Sequence, residues 1–374
     1  MKRIYLVFFI SLFVSFCTFS QSNDNSDIES NINDSLNIDV KENRFKDSIA
    51  LINKKNEELR ISRDAYNSGL LLLDDENFID AINYFSNAIG IDSMFSQAYF
   101  ARGQCYHALD NPLAIPDYLR SFELDSFNLK PLYKLAEFQF DIDKNLSKQT
   151  YTSIISINKD EYKALAQLGI IAFLDNRFND AEIFLTKSIE IKSTAYSLND
   201  RASCYRRLAK FDLAIEDYLS AISLNPDLPF IYNNLASLYV IIKDVDNALK
   251  YYDKAILKDG EYVLAYNNKA SILLEDNQYS AAEENIQKAL SINPEYAPAF
   301  NNRGVLNHYY EKYDHAIADF DKAILLDNDY AKAYLNRGIS KQFIRDEDGA
   351  CLDWQKAKAL GVLLANKYLA NDCE

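Results

Sequence analysis

Val263 to Tyr296 reads VLAYNNKASILLEDNQYSAAEENIQKALSINPEY, and Ala297 to Tyr330 reads APAFNNRGVLNHYYEKYDHAIADFDKAILLDNDY, the same pattern displaced by 34 residues. The displacement continues in both directions. Small residues recur at Gly69, Gly103, Ala136, Gly169, Ala202, Ala236, Ala270, Gly304 and Gly338, always 33 or 34 residues apart, so about nine units run from Ser62 to Leu364. A fixed period of this size marks a stack of supersecondary units rather than a conventional globular core.

Within the unit 297–330, Phe300, Gly304 and Asn307 to Tyr310 fall at helical spacing. A break follows at Glu311 to Tyr313, and Ala316, Phe320 and Ala323 resume the period. Each unit is therefore predicted to be two antiparallel helices joined by a tight turn. A second small residue recurs at Ala81, Ala181, Ala214, Ala248, Ala282, Ala316 and Ala350, and a third at Ala88, Ala221, Ala255, Ala289, Ala323 and Ala357. Small side chains at these places let helix backbones approach closely while Tyr, Phe and Leu fill the space between. Glycine here serves packing, since five of the nine glycines occupy the first small place.

The period, an aromatic residue or Leu four positions before the first small residue, the two later alanines and a turn residue closing each unit (Pro226, Pro294) closely resemble the tetratricopeptide repeat family. The resemblance covers nearly all of residues 44–374. It implies an all-α fold, a right-handed solenoid of about nine helix pairs with a C-terminal capping helix, that binds a protein or peptide partner without catalysis. The third unit departs most, with Lys148 where Ala is expected and Ile154 in place of the last alanine. The second and third units each lack one residue in the turn. Val362 to Leu369 follows the C-cap glycine Gly361 as a final amphipathic helix, the polar cap that an open-ended stack needs, and Arg44 to Arg60 is assigned the same task at the other end.

Ahead of the repeats, Met1-Lys2-Arg3 and the uncharged run Ile4 to Phe16 have the pattern of a secretory signal peptide, with cleavage expected after Ser20. Membrane contact would require lipidation at Cys17, which the bulky Phe16 before it disfavours. Residues 21–43, rich in Asn, Asp and Ser, are expected to form a disordered tether. The sequence reading thus places the protein outside the cytoplasm, in a periplasm or the extracellular space. A formal charge of −15 argues against a nucleic-acid partner, because phosphate binding begins with a surplus of Lys and Arg.

No nucleophile elbow, P-loop or dinucleotide fingerprint is present, so neither an enzyme, a cofactor nor a small-molecule substrate is expected. His107, His308 and His315 lie in different helices or units and lack metal-ligand spacing with Cys or carboxylates; they are read as solvated surface residues.

Internal comparison yields three sets of contacts. Units with Arg one residue before the first small residue carry Asp on the second helix: Arg102 with Asp117, Arg201 with Asp217, Arg303 with Asp319 and Arg337 with Asp353. Units with Leu168 or Leu235 at that place carry Phe184 or Tyr251 opposite, so the two places should touch. Cys351 and Cys373 lie ten residues before and twelve after Gly361, where a helical hairpin would level them for a disulfide, whereas Cys105 and Cys204 are too far apart to pair.

The third set is the candidate binding surface. Asn234, Asn268, Asn302 and Asn336 recur two residues before the small residue, and Asn199, Asn233, Asn267 and Asn301 recur one residue earlier. A carboxamide has an acceptor and two donors, so a row of them can pair with the backbone of an extended chain. In tetratricopeptide proteins with long grooves, asparagines at the place of Asn234, Asn268, Asn302 and Asn336 play this part, and the resemblance implies it here. Val240, Ile241, Leu274, Tyr309 and Phe343 would add apolar pockets. The reading that competes has these amides bonding to the neighbouring repeat. The clamp for an acidic C-terminus is not matched, since Tyr66 and Leu70 stand at its Lys and Asn places. The alternative function is a structural subunit of an envelope assembly that contacts folded partners through its convex face.

Overall fold

A computed structural model describes residues 25–373, and the signal-peptide and Cys17 expectations lie outside them. The described residues form nineteen helices and no strand. The chain divides between Phe127 and Asn128 into two compact units, where the sequence reading treats 44–374 as one solenoid.

The first unit holds α1 (Asn25–Asp74), α2 (Phe78–Ile91), α3 (Ser96–Ala108) and α4 (Ala114–Leu124). The second pairs α5 (Lys130–Ile142) with α6 (Lys144–Ile157), α7 (Tyr162–Leu174) with α8 (Phe178–Ile191), and α9 (Ala195–Arg207) with α10 (Phe211–Leu224). It continues with α11 (Pro229–Ile241) and α12 (Val245–Lys258), α13 (Val263–Glu275) and α14 (Tyr279–Ile292), and α15 (Ala297–Tyr309) and α16 (Tyr313–Leu326). The last pair is α17 (Ala331–Phe343) with α18 (Glu347–Ala359), followed by α19 (Ala365–Asp372). Within each unit every helix packs on its neighbour in the chain.

The turn inside each repeat has a recurring conformation. Glu76, Asp110, Asn176, Ala209, Lys243, Asn277, Glu311 and Arg345 all adopt positive φ between 51° and 63°. A left-handed residue stops the first helix and reverses the chain, as a C-cap does. The α5–α6 turn has no such residue, because Asp143 alone joins the helices and caps α6 by accepting from Asn145 N–H. Between repeats an Asn or Asp ends the second helix and its Oδ1 accepts the amide two residues on, as at Asp92, Asn158, Asn225, Asp259, Asn293 and Asp327. Pro131, Pro229 and Pro298 open first helices, where a missing N–H leaves nothing unpaired.

The core lies where the small residues allow close approach. At Gly304 a Cβ would stand 2.6 Å from the Phe320 ring, and at Gly169 2.6 Å from Leu185 Cγ, so the large residue on the second helix occupies the space glycine leaves. One residue fewer between the first two small places shifts the second of them in two repeats. Ala114 fills it in the second repeat, and in the third it falls on fully buried Ser147, not on Lys148, which is only partly covered. Ser121 and Ser188 join the third small place, and Ile154 is buried there.

Two terminal expectations change. Residues from Asn25 on are helical, not a disordered tether, and the helix continues unbroken into the first repeat. Every side chain from Val40 to Glu58 is exposed, so Arg44 to Arg60 does not cap α2. At the other end α19 does cover the last repeat. Trp354 is fully buried and stacks on Tyr368 at 4.9 Å, and Ala365 is buried beside it. A disulfide joins Cys351 of α18 to Cys373 just after α19, with Cα atoms 5.8 Å apart.

Candidate functional site

The first helices α9, α11, α13, α15 and α17 present their asparagines to one another. Asn234 Nδ2 donates to Asn199 Oδ1 (2.9 Å), Asn268 to Asn233 (3.0 Å), Asn302 to Asn267 (2.9 Å) and Asn336 to Asn301 (2.9 Å). Each bond spans 35 residues, so an amide in one repeat reaches the preceding place in the repeat before it. Asn199, Asn233, Asn267 and Asn301 are only 5–7% exposed. The earlier row therefore serves as buried acceptors of inter-repeat staples, not as free partner-facing amides. In the later row Asn234, Asn268 and Asn336 each make one such bond, leaving a second N–H and an acceptor oxygen, whereas Asn302 is only 7% exposed and its Nδ2 also donates to Asn267 O (3.1 Å).

A cleft of about 380 Å³ opens along α13, α15 and α17. Of the residues singled out from the sequence, Asn267, Asn268, Asn301, Asn302, Asn336, Leu274 and Tyr309 line it. Asn199, Asn233, Asn234, Val240, Ile241 and Phe343 do not. Leu274 is buried and contributes its edge only, whereas Tyr309 is half-exposed and stacks on Tyr279 at 5.1 Å. Val240 packs against the core around α11, and Phe343 stacks on Tyr313 (5.0 Å).

The cleft also takes residues the sequence reading passed over: Ser271, Glu275, Tyr296, Pro298, Val305, Tyr330 and Lys332. A signal for two of them was available. Tyr262, Tyr296 and Tyr330 recur every 34 residues as the residues that precede α13, α15 and α17. Burial raises the phenol pKa at all three, at Tyr330 to about 12, so each stays a neutral hydroxyl. The cleft thus has aromatic walls, an amide floor, one acid (Glu275) and one base (Lys332).

Four Arg–Asp pairs join the two helices of individual repeats. Arg201 donates from Nε and Nη2 to the two oxygens of Asp217 (2.7 and 2.9 Å), and Arg102, Arg303 and Arg337 grip Asp117, Asp319 and Asp353 likewise. All four Asp side chains are buried. Three of these arginines reach back to the preceding second helix, Arg102 to Ser86 (3.0 Å), Arg201 to Thr186 (3.2 Å) and Arg337 to Asp321 (2.6 Å). Leu168 and Leu235 are buried in the repeats without the ion pair.

Asp200 stands at the Asn234 place one repeat earlier. It accepts from Asn199 Nδ2 (3.1 Å), and burial raises its carboxyl to a pKa of about 6. His308 departs from the solvated reading. It is half-buried, bonds Ser340 Oγ (2.9 Å), packs edge-on against Phe343, and burial lowers its pKa. His107 meets Tyr118 Oη at 3.2 Å, and His315 alone of the three is exposed. Cys105 and Cys204 are buried thiols with pKa raised by burial to about 11 and 12. Among the described residues no group of three or more His, Cys, Asp or Glu could hold a metal, and no helix is long and apolar enough to cross a membrane.

Stacked antiparallel helix pairs with a cleft along their first helices define a helical-repeat protein of the scaffold class. The family model for the tetratricopeptide repeat matches residues 195–228, 231–257 and 263–296. The human tetratricopeptide repeat protein 6 is 26% identical over 166 residues, which is 42% of this chain and 31% of the human protein. The chain thus spans about a third of that relative's length. Among solved structures, a tetratricopeptide repeat protein from Parabacteroides merdae aligns with a TM-score of 0.55 at 21% identity, over 64% of this chain and 96% of its own. The hetero-tetramer Cut9–Hcn1 of the APC/C contains a chain that aligns with a TM-score of 0.56 at 14% identity, over 84% of this chain and 76% of that one. This chain thus contains tetratricopeptide repeats between residues 195 and 296, within an all-α stack of helix pairs. Such repeats generally act as non-catalytic scaffolds that bind protein or peptide partners.

Proposed function

We propose that the protein holds an extended segment of a protein partner in the cleft along α13, α15 and α17. The observation that carries this reading is the composition of the cleft, where ladder amides with remaining hydrogen-bonding capacity lie between aromatic walls. Amides of this kind pair with backbone N–H and C=O groups, and the tyrosines and Val305 receive side chains. The same reading places the protein outside the cytoplasm after cleavage behind Ser20, so N-terminal sequencing of the mature chain is expected to begin at Gln21.

A photo-crosslinking residue at Val305 tests the cleft directly, with the same residue at Leu257 of α12 as the contrast. Crosslinked partner is expected from Val305 and not from Leu257. Tyr309→Ala with Lys332→Glu changes two accessible residues and is expected to reduce capture at least tenfold with unchanged thermal unfolding. Leu257 and Leu325 are highly exposed and share one place on α12 and α16, which favours the alternative of a structural subunit with folded partners. Crosslinking from Leu257 alone would move the binding surface there and refute the cleft.

A further inference from the structure

Residues 40–60 of α1 have an apolar face that no described residue covers. Phe45 (67% exposed), Ile49, Ile52 (58%) and the half-covered Leu59 succeed one another at spacings of four, three and seven residues, and Asn56 fills the gap in the last interval. That is the alternating four-three spacing of a coiled-coil seam, with one amide inside it. The stripe is narrow: apart from exposed Leu51, the rest of the circumference is held by charged residues such as Asp47, Lys54, Glu57 and Glu58, so it suits another helix better than a lipid surface.

The flanks decide what kind of helix. Lys41, Lys46, Lys55 and Arg60 occupy the positions beside the seam, and residues 40–61 carry six basic and four acidic groups in a chain whose formal charge is −15. Lys46 also pairs with Glu42 (2.9 Å), and Arg60 with Glu57 (2.7 Å) and Asp64 (3.0 Å) along the same helix, so part of this charge is shared internally. A second copy in parallel would set Lys41 against Lys46 and Lys55 against Arg60, like charges at places that set partner choice.

We propose that residues 41–60 of α1 form one strand of a heterotypic coiled coil with an acidic amphipathic helix of a protein partner. The partner carries Glu or Asp beside its seam and an amide opposite Asn56. These residues belong to the first compact unit, and the cleft along α13, α15 and α17 to the second.

The test uses the full mature chain and two synthetic three-heptad peptides with identical Ile/Leu seams and one Asn. One peptide has Glu and the other Lys at the flanking positions. Isothermal titration is expected to show the acidic peptide binding at least tenfold tighter than the basic one, a preference that added salt weakens. Ile49→Asp with Ile52→Asp should abolish binding and leave thermal unfolding of the repeats unchanged, because both residues are exposed. Changing Lys41, Lys46, Lys55 and Arg60 to Glu should reverse the peptide preference. Three results would overturn the proposal: no binding of either peptide, equal binding of both, or a stable dimer of the protein alone that Ile49→Asp disperses. Binding to vesicles of phosphatidylcholine and phosphatidylglycerol (3:1) as tight as to the acidic peptide would equally overturn it, assigning the face to membrane.

Discussion

The repeats built on α9 to α18 and those built on α5 to α8 share a fold and differ in how neighbouring first helices are tied. In the former, an amide of each repeat bonds an amide of the one before. In the latter the same places hold Tyr133, Lys134, Ala166 and Gln167, and single-use bonds replace the ladder: Tyr133 donates to Glu161 (2.9 Å) and Thr150 to Gln139 (2.6 Å). The difference teaches that small residues suffice to stack helix pairs, while a repeated polar bond fixes the stacking in the same way each time. The family model matches only inside the laddered stretch, at 195–296, where sequence and geometry repeat together.

The largest way to break the contrast is at the ion pair of α9 and α10. Asp217→Ala leaves the guanidinium of Arg201 without its buried partner and is expected to lower unfolding free energy by about 3 kcal/mol in urea titrations. Arg201→Leu with Asp217→Tyr transplants the Leu235–Tyr251 pairing and should stay within about 1.5 kcal/mol of the parent. A double variant as unstable as Asp217→Ala would show that the two chemistries are not interchangeable.

Asp200→Asn puts an amide at the later place of α9 and sharpens the contrast through pH. The folded carboxyl has a pKa of about 6 against an ordinary 3.8, so the folded state binds its proton more tightly than the unfolded state. The parent therefore loses stability as pH rises from 3.8 to about 6 and stays level above that, with no contribution below 3.8 where both states are protonated. The variant is expected to be more stable than the parent by about 2 kcal/mol at pH 7 and to lose that advantage near pH 4. An advantage that does not vary between those pH values would assign the gain to something other than the carboxyl.

A smaller effect separates the two stretches directly. Asn233→Ala removes the acceptor of Asn268 and should cost about 1 kcal/mol, whereas Gln167→Ala in α7 should cost less than about 0.5 kcal/mol. Hydrogen exchange would place the first loss in α11 and α13. Smallest is the turn: Ala209→Gly relieves a left-handed alanine and is expected to stabilise by about 0.5 kcal/mol or more, although glycine's greater unfolded entropy offsets part of the gain. No matching site exists in the α5–α6 turn, which lacks a left-handed residue.

The helix pairs, the four Arg–Asp contacts and the placement of Cys351 beside Cys373 could be read from residue spacing, because each depends on offsets inside one repeat or one hairpin. The role of the asparagines could not. Their spacing places them in two rows, yet whether an amide faces a partner or its neighbour depends on the angle between adjacent first helices, which periodicity leaves open. In the third repeat the shortened turn shifts the buried place by one residue, from Lys148 to Ser147, without changing composition. At α1, an Asn- and Ser-rich segment reads as too polar to order, but it propagates from the packed part of the same helix, which supplies the costly nucleus.

The amide staple also bears on how the chain could have grown and can shrink. Each bond joins the later place of one repeat to the earlier place of the previous one, so every laddered repeat carries both a plug and a socket. Excising 34 residues, 249–282, would bring Asn302 to the position Asn268 now holds and set it opposite Asn233. Whole repeats in this stretch are therefore interchangeable cassettes, and duplication or loss of one by unequal recombination leaves a joint with the same chemistry as the one it replaces.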